Sequence, residues 1–135
     1  MKKIFVFAVL VTIILSACDS SPLVPTTTNS LGPKDLTGVY ILTGTGSDGS
    51  EYTGEVEITK SGDNDNSYNI VWMLASGQLT GTGTFDGITL TGRCYEKESN
   101  THGDLNYTLQ PDGSLSGGWT YDGNTYTSKE TFTPK

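Results

Sequence analysis

The feature that most constrains this chain is a two-residue alternation of apolar and polar side chains, interrupted about every ten residues by turn-forming pairs. "YTGEVEIT" sets Tyr52, Gly54, Val56 and Ile58 on one face and Thr53, Glu55, Glu57 and Thr59 on the other. "SYNIVWML" groups Tyr68, Ile70, Trp72 and Leu74, and "LTGTGTF" groups Leu79, Gly81, Gly83 and Phe85. "ITLTGRC" adds Ile88, Leu90, Gly92 and Cys94, and "LNYTL" adds Leu105, Tyr107 and Leu109. "SLSGGWTY" contributes Leu115, Gly117, Trp119 and Tyr121, and "NTYTSKETF" contributes Tyr126, Ser128, Glu130 and Phe132. With "TGVYILTG" at the start, eight segments follow the period of a half-buried strand, and none follows that of a helix.

The interruptions carry their own mechanism. Asp48-Gly49, Ser61-Gly62, Ser76-Gly77, Asp86-Gly87, Asp112-Gly113 and Asp122-Gly123 pair a side chain that bonds nearby backbone with a residue that accepts positive φ. Short connections without crossovers predict an all-β fold, a small eight-stranded antiparallel meander closed into a barrel. Eight strands close around side chains or one small ligand, and closure removes the exposed edges of a Thr-rich sheet. A two-sheet β-sandwich of the same strands is the alternative. Inward glycines are expected to bend strands and to leave room for rings from neighbouring strands.

The first eighteen residues read differently. Lys2 and Lys3 precede an apolar run from Ile4 to Leu15 relieved only by Thr12, too short for a comfortable membrane span. The run ends at Leu15-Ser16-Ala17-Cys18, which resembles the lipobox of bacterial lipoproteins. The resemblance implies a signal peptide over 1–17, cleavage before Cys18, and lipidation of the Cys18 thiol and new amino terminus. Each buried acyl methylene contributes about 0.8 kcal/mol, so several chains make a lasting membrane anchor. The implied localisation is the bacterial cell envelope, with the domain outside the cytoplasm; inner and outer membrane are not distinguished. Residues 18–36, rich in Ser, Thr and Pro, form a tether of roughly 20–25 Å r.m.s. reach. The barrel domain is expected over 37–135. Loss of Lys2 and Lys3 takes the formal net charge from −7 to −9, which argues against nucleic acid as a partner. A lipidated Cys18 also leaves Cys94 without a disulfide partner, as a small buried apolar residue.

Two further resemblances concern the domain. The pieces Leu36-Thr37-Gly38, Leu79-Thr80-Gly81 and Leu90-Thr91-Gly92-Arg93, with the closing "ETFTPK", resemble the avidin and lipocalin group of up-and-down barrels. That likeness implies a carboxylate, Glu130, at the closed end of a pocket. Biotin binding is not implied, because "GVYILTG" lacks the polar residues expected in the first strand of that group. The run from Tyr40 to Ile58 is similar to small bacterial secreted β-proteins with the pattern Y-x-x-x-G-T-x-x-D-G-x-x-Y-x-G-x-V-x-I, which implies a shared fold.

Tyr40, Tyr52, Tyr68, Trp72, Tyr107, Trp119, Tyr121 and Tyr126 form an aromatic interior under this alternation, as packed core or as ligand walls. The candidate ligand contacts are Tyr68, Trp72, Trp119 and Glu130, and a buried Glu130 requires hydrogen-bonding partners. Asp63, Asn64, Asp65 and Asn66 offer oxygens but lack the glycine and distant glutamate of a calcium loop, so they read as a solvated hairpin. The outward Glu51, Glu55 and Glu57 read as a wet face. His102, with Asp104 nearby in "SNTHGD", is expected in a loop with no nucleophile placed beside it. No catalytic residue, metal site or cofactor is predicted. The functional expectation is a lipid-anchored, non-enzymatic envelope lipoprotein whose barrel is a structural or protein-interaction module, with small-ligand binding as the alternative.

Overall fold

A computed structural model describes residues 35–135. Cys18 and the signal segment over 1–17 lie outside the described residues. The strands are β1 (Gly38–Thr45), β2 (Glu51–Lys60), β3 (Ser67–Leu74), β4 (Gly77–Phe85), β5 (Thr89–Glu96), β6 (Thr101–Leu109), β7 (Leu115–Tyr121) and β8 (Lys129–Pro134). Each pairs antiparallel with the next, and β8 returns to β1 from Tyr40↔Pro134 to Thr45↔Lys129, closing the barrel. This last ladder decides for the barrel over the sandwich.

The predicted inner faces form the core: Leu42, Val56, Ile58, Ile70, Trp72, Leu90, Tyr107, Leu115 and Phe132 are fully buried. Gly81 leaves space for the Trp72 ring, since a methyl group there would lie 3.0 Å from Cζ3. The Asp-Gly turns work as expected at both 48–49 and 112–113. Asp48 accepts from the Ser50 amide at 2.9 Å and Asp112 from the Ser114 amide at 2.9 Å, while Gly49 and Gly113 take φ of 79° and 87°.

Three expectations are corrected. Ile88 is 66 % exposed, because it belongs to the turn before β5, where its amide donates to Asp86 at 2.8 Å. His102 lies in β6 rather than a loop; it points outward opposite Tyr95, with ring centroids 4.7 Å apart. Asp104, also outward, accepts from Arg93 at 2.7 Å, so the pair faces solvent on the barrel wall. The final strand begins only at Lys129. Before it, the Ser128 hydroxyl accepts from the Trp119 amide at 3.0 Å, occupying the place of a ladder carbonyl.

The two ends differ. At one, Leu36 is 1 % exposed beneath Tyr40 and Tyr68, packed into the barrel rather than ending the tether. The Tyr40 hydroxyl donates to the Leu36 carbonyl at 2.8 Å, and Asp35 accepts from the Thr37 amide at 3.0 Å. The chain therefore joins the barrel at its closed end. The hairpins β1–β2, β3–β4 and β5–β6 and the 122–128 segment surround the other end.

Candidate functional site

Glu130 projects from β8 into the barrel, where it is 3 % exposed. Four donors from four other strands converge on it. Its Oε1 accepts from the Tyr52 hydroxyl of β2 at 2.5 Å and the Trp119 Nε1 of β7 at 3.0 Å. Its Oε2 accepts from the Tyr107 hydroxyl of β6 at 2.5 Å and the Trp72 Nε1 of β3 at 3.2 Å. A buried carboxylate is costly unless its lone pairs are occupied, and here each oxygen takes two donors, with no ion pair to it among the described residues. Burial, reinforced by the carboxylate, raises the Tyr52 and Tyr107 phenols well above their ordinary range.

Above this cluster, at the end opposite Leu36, the barrel opens into a cavity of about 600 Å³. Tyr52, Leu79 and Trp119 line it, together with Tyr121, Tyr126 and Glu96. Trp119 and Tyr121 pack edge to face with centroids 4.5 Å apart. The Tyr121 hydroxyl donates to Glu96 at 2.8 Å, and the Ser99 hydroxyl donates to the same oxygen at 2.6 Å. Tyr126 reaches across the rim and donates to the Gly46 carbonyl at 2.8 Å, tying the 122–128 segment to the β1–β2 hairpin.

Of the four residues expected at a ligand, the fold brings together Trp72, Trp119 and Glu130. Only Trp119 lines the cavity; Trp72 and Glu130 lie below it and support its wall. Tyr68 is elsewhere. It stands four residues from Trp72 on β3, roughly 13 Å along the strand, and it belongs to the closed end. There its hydroxyl accepts from Lys60 at 2.8 Å and from the Leu36 amide at 3.4 Å. Tyr52 and Tyr107 fall on inward faces in the sequence, but nothing there marks them as partners of Glu130. Glu96 escapes the sequence reading, although continuing the period of β5 two residues beyond Cys94 reaches it. Cys94 itself is buried, and burial pushes its thiol up to about 11. In the 61–66 hairpin, the Asn64 and Asn66 carbonyls accept backbone amides at 3.1 and 2.8 Å.

No protein-family model and no curated protein matches the chain. Solved structures with a similar fold include designed proteins. A redesigned β-barrel, mFAP1, bound to DFHBI superposes with a TM-score of 0.62 at 17% identity, over 73% of this chain and 94% of its own. The related mFAP0, also bound to DFHBI, gives 0.61 at 17% identity over 74% and 99%. A de novo designed fluorescence-activating β-barrel gives 0.55 at 15% identity over 76% and 96%. At such identities the likeness is one of fold.

Proposed function

We propose that this chain is a bacterial envelope lipoprotein, anchored through lipid on Cys18, whose barrel binds a small ligand without transforming it. The observation that carries the binding reading is the cavity of about 600 Å³, open at one barrel end and walled by aromatic side chains with polar tips. The buried network beneath it supports a non-enzymatic role: both Glu130 oxygens are occupied, and the Cys94 thiol is buried away from the cavity. Ligand-bound designed barrels of the same fold lend support to a ligand in the open end. Titration of the full chain with a metabolite panel tests this by tryptophan fluorescence. A binder is expected to shift emission in the natural chain and less in Trp119→Phe; silence across the panel counts against the reading.

A second reading, docking of an envelope protein, is favoured by one outer face. Val39 and Ile41 on β1 and Met73 on β3 are 39 %, 46 % and 40 % exposed, and register aligns Ile41 with Glu55 and Glu55 with Met73. A partner retained by the full chain and lost in Ile41→Lys supports it; retention unchanged by that substitution counts against it.

A further inference from the structure

We propose that the cavity selects a small organic cation, a substituted ammonium carried on an apolar body. The inference rests on the reading of the cavity as a ligand site and names the chemistry it would choose. Its starting point is Glu96. This residue follows Leu90, Gly92 and Cys94 on the inner face of β5, so its carboxylate turns into the mouth rather than out to solvent. It is half-buried, and among the described residues no lysine, arginine or histidine forms an ion pair with it. Both donors it accepts from, Tyr121 and Ser99, bond to Oε2. Oε1 has no hydrogen bond to the described residues. The charge is thus held in position by neutral groups while one oxygen stays free for a ligand.

The surroundings suit the same chemistry. The Tyr121 ring links Glu96 to Trp119, since its hydroxyl bonds the one and its ring packs on the other. Tyr52 and Tyr126 complete an aromatic enclosure at the same level. The Trp119 Nε1 and the Tyr52 hydroxyl are already committed to Glu130 below, so these two side chains offer the ligand their rings rather than their donors. Aromatic faces attract cations through the ring quadrupole, and more strongly where water is excluded. Every other charged side chain on the lining, Asp48 and Glu51, is acidic as well. An anion would meet carboxylates and π faces together, with no cation among the described lining residues to receive it. Leu74 and Leu79 supply apolar surface for the rest of the molecule.

The test compares three probes of matched size on the full natural chain: phenethylammonium, phenethyl alcohol and phenylacetate, by calorimetry and tryptophan fluorescence. The expected result is that the cation binds roughly tenfold tighter than the alcohol, with phenylacetate weakest. Glu96→Gln is expected to remove most of that preference, weakening the cation far more than the alcohol. Equal binding of alcohol and cation, or preference for phenylacetate, overturns the cation proposal but leaves the cavity a ligand site. No binding by any probe overturns the cation proposal and counts against the cavity reading as well. Should Glu96→Gln fail to fold, the ranking of the three probes on the natural chain decides alone.

Discussion

Glu130 is held by two phenols and two indoles, and this choice of partners has a consequence that an ion pair would not. A carboxylate matched by four neutral donors has acceptor capacity at every position the surroundings address. Glu130→Gln keeps size and shape but turns one oxygen into a donor facing two other donors. We expect a loss of about 2–4 kcal/mol in urea unfolding, since buried donors lose their acceptor and the desolvation cost remains. A loss below about 1 kcal/mol would show that the cluster does not stabilise the fold. The residue types are legible in advance, because Glu130 falls on an inward parity and a buried carboxylate must have partners. Which aromatic tips reach it depends on the relative heights of strands far apart in sequence.

At the scale of elements, the seam between β7 and β8 is the weak ladder of the barrel, with register pairing only Leu115↔Phe132, Ser116↔Thr131 and Gly117↔Glu130. The strands then draw together through side-chain substitution, and a methyl group on Gly118 would lie 1.8 Å from the Ser128 carbonyl oxygen. Backbone must move to relieve such a contact. Gly118→Ala is expected to cost about 2 kcal/mol or more and to speed hydrogen exchange at the Trp119 and Ser128 amides, which bond across this seam. Ser116→Ala, two residues away, should leave those amides unchanged. The alternation in "NTYTSKETF" suggests a strand from residue 124, yet close approach at Gly118 and the bond from Tyr126 to the Gly46 carbonyl divert the chain over the mouth.

For the whole molecule, burial of tyrosines couples stability to alkaline pH. Tyr52, Tyr107 and Tyr121 are all raised above the ordinary value of 10.0, chiefly by burial and then by the carboxylates they bond. In the unfolded chain these phenols release protons near pH 10, while the barrel retains them. The unfolded state therefore binds fewer protons above that pH, and stability present below it is lost progressively as pH rises. The urea midpoint is expected to fall between pH 9 and pH 11, and Tyr52→Phe should make that fall shallower. An unchanged midpoint in the natural chain would contradict the burial of these phenols.

Eight period-two segments and the turn-forming pairs between them determined, from sequence alone, an antiparallel meander and nearly all of its inner face, while the β1–β8 ladder decided closure over a sandwich. These are local properties, written in strand period and backbone conformation. Tertiary structure decided what lay along the barrel axis. Tyr68 and Trp72 share a face of one strand, but closure puts the first beside Leu36 at the plugged end and the second under Glu130. Glu96 became part of a cavity wall because strand register lifts the end of β5 to the level of Trp119 and Tyr121. Parity specifies whether a residue points inward, while depth follows from the stagger accumulated around eight strands, and no single segment carries that information.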